Sequence, residues 1–421
     1  MSDQSKSNFK FDIAAPPSWS YDPGGVIIGH LMRYAPINSH QATVEVALVG
    51  RALAKLHAGP SKGEGDDGSS STSQYTLLRG KPEIIFRGPV HLSESSAQPL
   101  SWPFSVRIPT EPETSVREGH KRGASFLPLR GDDPSHHVLP GTFSLAKTKT
   151  TRPITCKVEY SLEATLEYHD EGRQICRASY PVTFRHPEGN ARNFYDLKTI
   201  TARCRVSSQR LLPGMENADL SLKQKASKFI GSSSVPELHY ELDLSLPVAI
   251  RIEDPRPFPV MLGITMLHME TSSCIRSVPQ DIQISSIKLT LNCITGILVD
   301  LHGKVSVEAI RTGQFPPGEH IVSHTLKLKS AFQDLGYPLK INTGADDAPV
   351  PIGDIFSLGL RSGGLISGRK YFANASCVCP DFTTYNIEHR HSWRWQIFLN
   401  VAGENHEIKI DNPVEVLRAA S

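Results

Sequence analysis

The dominant pattern along this chain is an alternation of apolar and polar residues with a period of two. In KVEYSLEATLEYH (157–169), apolar side chains fall on every second position from Val158 to Tyr168, with glutamate, serine and threonine between them. Successive side chains of a β-strand point to opposite faces, so the pattern predicts a long strand with one dry face and one wet face. The same reasoning predicts strands at 44–48, 104–108 and 240–246.

Two further segments extend this interpretation. In DIQISSIKLTLNC (281–293) the alternation changes parity at Ser285–Ser286, where we expect a β-bulge. In HSWRWQIFLNVAGENHEIKI (391–410), both tryptophans share parity with the aliphatic residues, and AGEN supplies a turn. The pattern predicts a β-hairpin whose Trp393 and Trp395 face inward. A nucleic-acid platform would instead need its aromatic side chains on the wet face, beside Arg394.

Helical patterns are scarce. LSLKQKASKFIG (220–231) could form one short helix, but no series of helical segments separates the strands, which argues against a parallel α/β sheet. Antiparallel sheets fit the clean alternation, and the 31 Gly and 31 Pro are spread as turn residues. The sequence predicts an all-β protein with few or no long helices.

Irregular segments predict the domain organisation. Two low-complexity stretches, near 58–74 and 110–137, are predicted to be mobile insertions within a strand-built domain, and a third irregular region separates two β-rich halves. The predicted divisions are an N-terminal tail at 1–19, a first domain at 20–207, a linker at 208–235, a second domain at 236–413 and a C-terminal tail at 414–421.

Composition narrows the function classes. The 45 basic and 43 acidic residues of the 421-residue chain leave a net charge of +2, which argues against a dedicated nucleic-acid binder. No apolar run approaches the length of a membrane span, and the N-terminus lacks the apolar core of a secretory signal. Seven scattered cysteines are typical of reduced thiols, so we expect a cytoplasmic protein without disulfides.

Candidate chemistry is limited. The chain has no nucleophile elbow, no zinc-protease motif and no glycine-rich phosphate loop, so we expect no catalytic residues and no cofactor. The best metal candidate is Cys377 and Cys379 followed by His389 and His391, because residues two apart on a strand share a face. The alternative is that these side chains are buried parts of the strands, with the histidines beginning the inner face that Trp393 continues.

The order of several segments resembles the arrestin family, in particular the arrestin-related proteins of fungi. YDPGGVIIGHLMRY (21–34), ATVEVALVGRA (42–52) and SWPFSVRIP (101–109) resemble its first strands, and HYELDLSLP (239–247) resembles the start of its second domain. The C-terminal signature P-S-F-x-T-x-x-I-x-R is similar to this chain at Pro380, Phe382, Thr384, Ile387 and Arg390. The resemblance runs from about residue 20 to residue 415.

The resemblance implies two immunoglobulin-like β-sandwich domains in tandem, without catalysis. It implies an adaptor that binds cytosolic tails or loops of membrane proteins, is recruited to the plasma membrane or endosomes, and links them to endocytic machinery or a HECT-type ubiquitin ligase. The family's ligase motif is P-P-x-Y, whereas this chain has Pro16, Pro17, Ser18 and Trp19. These residues remain a candidate partner site through a polyproline helix, with an N-terminal loop as the alternative.

Other functions stay open. One is a stable structural subunit of a membrane-sorting coat, like the arrestin-shaped subunit of retromer. Another is a β-sandwich enzyme acting on glycans, which needs two carboxylates converging in a cleft; the row Glu159, Glu163 and Glu167 does not provide them, because it lies along one wet face. Short basic runs at 117–123 and 147–153 leave peripheral membrane contact as a further alternative.

Overall fold

The chain is nearly all β in a computed structural model. The model describes residues 8–57, 70–112, 125–128, 137–147, 153–169, 172–188, 196–216, 218, 235–299, 319–328, 339–342, 348–368, 370–371 and 378–418. Within those ranges the helical structure is one α-helix, α1 (Ile352–Ile355), and one 3₁₀ turn, Gln209–Leu211. None of the helical structure in this described part is long and apolar enough to cross a membrane.

The chain divides into two compact units, each assembled from separate stretches of sequence. Unit 1 comprises Met1–Pro187, Thr295–His320 and Phe382–His389, and unit 2 comprises Glu188–Ile294, Ile321–Asp381 and Arg390–Ser421. The strands up to residue 187 are β1 (Phe9–Ile13), β2 (Ser20–Tyr21), β3 (Val26–Arg33), β4 (Ile37–Leu56), β5 (Ser71–Leu78), β6 (Glu83–Leu92), β7 (Leu100–Arg107), β8 (Phe143–Lys147), β9 (Ile154–His169) and β10 (Arg173–Phe184).

Unit 1 contains a three-stranded and a seven-stranded sheet. The smaller sheet has the order β1-β3-β7, and the larger has the order β2-β10-β9-β4-β5, with β6 also paired to β4 and β8 to β9. Strands β4 and β9 form the centre of the larger sheet, with Leu48 opposite Leu162. Both side chains are buried, as the alternation at 44–48 and 157–169 predicts.

The close approach of these central strands depends on a glycine. The buried Tyr160 donates a hydrogen bond from its hydroxyl to the carbonyl of Pro140 at 2.8 Å, and its ring lies over Gly50. A Cβ at Gly50 would lie 2.6 Å from that ring, so no larger residue fits there without a shift.

Unit 2 is built in the same way. The strands after residue 187 are β11 (Leu197–Ser207), β12 (Glu237–Pro247), β13 (Ala249–Arg251), β14 (Met261–Met266), β15 (Asp281–Ile297), β16 (Glu319–Lys327), β17 (Leu339–Asn342), β18 (Leu358–Arg361), β19 (Gly364–Ser367), β20 (Lys370–Tyr371), β21 (Phe382–Thr383), β22 (Ile387–Val401) and β23 (Glu404–Leu417). A three-stranded sheet has the order β11-β12-β14, and a seven-stranded sheet has the order β13-β23-β22-β15-β16, with β17 also paired to β15 and β21 to β22. Unit 2 contributes most of the larger sheet, whereas β21 and the first residues of β22, up to His389, are assigned to unit 1. Strands β18, β19 and β20 form a further small sheet.

The strand connections of the two units follow one plan. In each seven-stranded sheet, a very short early strand (β2 or β13) runs parallel to the last strand (β10 or β23). The last strand pairs with the penultimate one (β9 or β22), which pairs with a long middle strand (β4 or β15). The third strand of the small sheet is placed differently in the two units. In unit 1 it is β7, which pairs with β3, the strand after the short β2. In unit 2 it is β11, which pairs with β12, the strand before the short β13.

The buried faces of both sheets in unit 2 meet in one hydrophobic cluster. It joins Tyr240 and Leu242 of β12 to Trp393 and Trp395 of β22. Both tryptophans are at most 1% exposed, so the inward-facing hairpin predicted at 391–410 is confirmed. Burial along β15 also changes parity at Ser285–Ser286, as the sequence pattern predicts.

Several predicted boundaries need correction. Residues 9–13 of the predicted N-terminal tail form β1, which pairs with β3. Residues 197–207, assigned to the first domain, pair along their whole length with β12 and belong to unit 2. Strand β5 begins inside the predicted insertion at 58–74, and β23 continues to Leu417. The possible helix at 220–231 lies outside the described residues.

Candidate functional site

The proline-rich candidate near the N-terminus forms a turn. The Trp19 N–H donates to the Pro16 carbonyl at 2.9 Å, which folds the segment back on itself. The Trp19 side chain is 51% exposed, and the Arg185 guanidinium lies 5.8 Å from its ring centroid. An extended polyproline helix has no internal hydrogen bonds, so this segment does not have the conformation expected from the polyproline interpretation.

The metal candidate is not assembled by the described residues. Cys377 lies outside them, and Cys379 is half-buried. His389 and His391 share the inner face of β22, as the sequence predicts, but their neighbours differ. The His389 Nδ1 lies 2.8 Å from the Thr295 hydroxyl, and its ring packs against Phe382. Among the side chains that the structure describes, no three of His, Cys, Asp and Glu are grouped to hold a metal ion.

The buried His391 forms an acid–base pair with the half-buried Asp381, a contact that the sequence did not reveal. Its Nδ1 lies 2.5 Å from Oδ1 of Asp381, and that oxygen also accepts the Val416 N–H at 3.1 Å. Burial raises the pKa of Asp381 to about 8 and lowers the pKa of His391 to about 3. Between those pH values the pair holds one proton and carries no net charge.

Other titratable groups surround this pair within unit 2. The pKa of the Cys293 thiol is raised to about 12, mainly by burial and to a smaller extent by the charge of Asp381. The pKa of His324 is lowered, mainly by burial and to a smaller extent by His391. The pKa of Glu415 is raised, mainly by burial and to a smaller extent by Asp381. A Cys–His–Asp set is a familiar catalytic combination, but a nucleophilic cysteine needs a thiolate near neutral pH. Burial holds Cys293 as a thiol, which does not suit it to act as a nucleophile.

A second buried polar site lies in unit 1, where Asn386 is completely buried. Its side-chain NH₂ donates to the Ser73 Oγ at 2.9 Å and to the carbonyls of Ala52 and Ser73 at 3.3 Å. The neighbouring Tyr385 stacks on Tyr75 with ring centroids 5.5 Å apart. Residues 382–389 therefore contribute buried side chains to unit 1, most of whose strands lie before residue 187.

The acidic row of β9 is engaged in ion pairs. Arg51 lies 3.6 Å from Glu159 and 3.5 Å from Glu163, and Arg173 binds Glu167 at 2.7 Å. The Arg173 hydrogen bond lowers the pKa of Glu167, the opposite of what a general acid requires. An open cleft of about 290 Å³ beside Arg51 is lined by Val49, Gly50, Arg51, Gln74, Thr76, Arg79 and Glu163. That lining holds one carboxylate, whereas glycan hydrolysis by the usual mechanisms uses two.

One exposed apolar surface was also missed by sequence reasoning. Val26 and Ile28 on the outer face of β3 are 45% and 56% exposed, and their cross-strand neighbours on β7 are Arg107 and Ser105. Alternation identifies the buried side of a strand, but here both faces of β3 carry aliphatic residues, so the pattern gave no signal.

Comparisons with known proteins give this chain no family. No protein-family model matches it, and a search of curated proteins found no match either.

Proposed function

We propose that this chain is a non-catalytic adaptor with two immunoglobulin-like β-sandwich domains in tandem, as its resemblance to arrestin-related proteins implies. The observation that carries the proposal is the repeated strand plan. Each unit has a three-stranded sheet, a seven-stranded sheet and a short strand parallel to the last one. Such a duplicated scaffold provides two separate sets of sheet faces and sheet edges for partners.

The contacts of the titratable side chains support a binding role over catalysis. The carboxylates of β9 are neutralised by Arg51 and Arg173, and Asp381 and His391 share a proton inside unit 2. The exposed positions instead offer recognition surfaces, including the apolar stripe of Val26 and Ile28. The partners we propose are cytosolic tails or loops of membrane proteins, with the adaptor in the cytoplasm and recruited to membranes.

A ubiquitin ligase is a further proposed partner. The turn at Pro16–Trp19 presents Trp19 against Arg185 rather than an extended motif. If a ligase binds there, the contact must use the exposed indole, since aromatic side chains frequently anchor interfaces. A Trp19→Ala variant should then lose the ligase while keeping its membrane-protein partners.

The test is proximity labelling and affinity purification of the full chain from its own cytosol, read by mass spectrometry. An adaptor should enrich integral membrane proteins and ubiquitin ligase components at substoichiometric levels. Recovery of coat subunits at equal ratio and in a lasting complex would favour the alternative, a structural coat subunit. Glycan hydrolysis by the purified chain, abolished by Glu163→Gln, would overturn both.

A further inference from the structure

A buried arginine in unit 1 has no acidic partner among the residues that the structure describes. Arg33, the last residue of β3, is only 8% exposed. Its Nε donates to the Ala35 carbonyl at 3.2 Å, and its Nη1 donates to the Cys176 Sγ at 3.3 Å. The guanidinium is always charged, and a buried charge is normally balanced by an opposite one. The site therefore favours a negative charge beside Nη1.

The group at that position is the sulfur of a partly exposed cysteine. Cys176 is a free cysteine of intermediate exposure on β10. Strand β10 is paired with β9 on one side, whereas β2 covers only Thr183 and Phe184 on the other. Cys176 thus combines access from solvent with a hydrogen bond from a buried cation, the environment in which cysteines react.

We propose that Cys176 is an oxidant-sensitive modification site, and that Arg33 holds the anionic sulfenate formed there. The oxidant is hydrogen peroxide. The Cys176 thiolate attacks one peroxide oxygen, an S–O bond forms, and the O–O bond breaks. Sulfur loses two electrons, the peroxide gains them, and the departing hydroxide takes up the sulfenic acid proton to leave as water, so the product is the sulfenate.

Four of the other described cysteines differ from Cys176, while Cys379 shares its intermediate exposure. Burial raises the pKa of Cys156 and of Cys293 to about 12, which keeps both as unreactive thiols, and burial also raises the pKa of Cys204. Cys274 is exposed and provides an internal comparison for accessibility alone. Hydrogen peroxide should therefore oxidise Cys176 faster than Cys274, although Cys274 is the more accessible.

The experiment is sulfenic-acid trapping on the reduced full chain. The chain is treated with limiting hydrogen peroxide and a 1,3-dione probe, and peptide mass spectrometry follows the label at each cysteine. Cys176 should be labelled at least about tenfold faster than Cys274, the factor that a hydrogen bond to a charged group supplies. Arg33→Met should remove that advantage, and Arg33→Lys should retain part of it.

The matched control is Arg177→Met, which removes an exposed arginine next to Cys176 and should leave its labelling unchanged. If thermal melting shows that Arg33→Met unfolds the chain, the labelling rate of Cys176 in Arg33→Lys tests the proposal instead. Equal rates at Cys176 and Cys274 in the natural chain would overturn the proposal. A folded Arg33→Met protein that still labels at the natural rate would do the same.

Discussion

At the residue scale, the two buried polar sites show how strongly single side chains hold this fold. Asn386 donates to three acceptors in unit 1, and Asp381 connects His391 to the Val416 backbone in unit 2. Buried polar groups stabilise a protein only when their hydrogen bonds are complete. Each site therefore gives a sharp expectation for substitution.

Replacing Asn386 should destabilise unit 1. Asn386→Ala leaves the buried acceptors of Ala52 and Ser73 without their donor, at a cost of about 2–3 kcal/mol of unfolding free energy. Asn386→Asp should cost more, because a carboxylate would face carbonyl oxygens. Thermal and urea unfolding measure the loss. The control is Asn405→Ala on the exposed surface, and a loss equal to that control would contradict the assignment.

The Asp381–His391 pair should make stability fall between about pH 6.5 and pH 8. Unfolded, the pair would titrate near pH 3.9 and 6.5; folded, the pKa of Asp381 is about 8 and that of His391 about 3. From about pH 4 to 6.5 both states hold one proton, so this pair adds no slope. Above pH 6.5 only the folded state keeps its proton, so stability falls by about 2 kcal/mol by pH 8.

Urea unfolding at several pH values checks this expectation. Asp381→Asn should abolish the fall, while Asp411→Asn, which removes an exposed aspartate paired with Arg394, should preserve it. Cys293, His324 and Glu415 also face the pair and are unchanged in both variants. If the stability of Asp381→Asn still falls over this pH range, the fall is caused by those groups instead of by the pair.

At the element scale, the β22–β23 hairpin turns through two residues in left-handed backbone conformations, Ala402 (φ 49°) and Gly403 (φ 78°). Tight hairpins favour this geometry because its twist matches that of the strands. The Gly403 position is also crowded, since a Cβ there would lie 2.3 Å from Nη1 of Arg210.

Gly403→Ala should therefore destabilise unit 2 by about 1–2 kcal/mol, the cost of a left-handed backbone for a residue with a Cβ. The control is Gly263→Ala in β14, where a Cβ would meet its nearest neighbours at 3.7 Å and 3.9 Å, ordinary contact distances. Differential scanning calorimetry of both variants makes the comparison. Equal melting temperatures would show that the turn is not strained by the substitution.

Many of the strands and their buried faces were predictable from the sequence. Alternation identified β9, β12 and the inward tryptophans, because one buried face imposes a period of two. It failed for β11, whose residues belong to unit 2, since alternation does not tell which strand is the partner. Asn386 and Asp381 gave no signal, because partners such as Ala52 or Val416 are distant in sequence and are fixed only by the fold.

At the scale of the whole molecule, unit 1 depends on residues 382–389. An N-terminal fragment ending at residue 196 should therefore melt below the intact unit, because Tyr75 loses its stacking partner and the acceptors of Ala52 and Ser73 lose Asn386. A synthetic peptide covering 380–390 should raise the fragment's melting temperature. The control peptide carries Tyr385→Ala and Asn386→Ala, and equal effects of both peptides would contradict the prediction.

The late position of 382–389 also has a consequence for biosynthesis. A ribosome makes β1–β10 of unit 1 before unit 2 begins at Glu188, yet residues 382–389, which complete the interior, emerge only after residues 188–381 have been translated. Until then the nascent unit has an unfilled apolar site, the type of exposed surface that chaperones bind and that aggregates. Premature termination before that point should leave a product for cellular quality control to degrade.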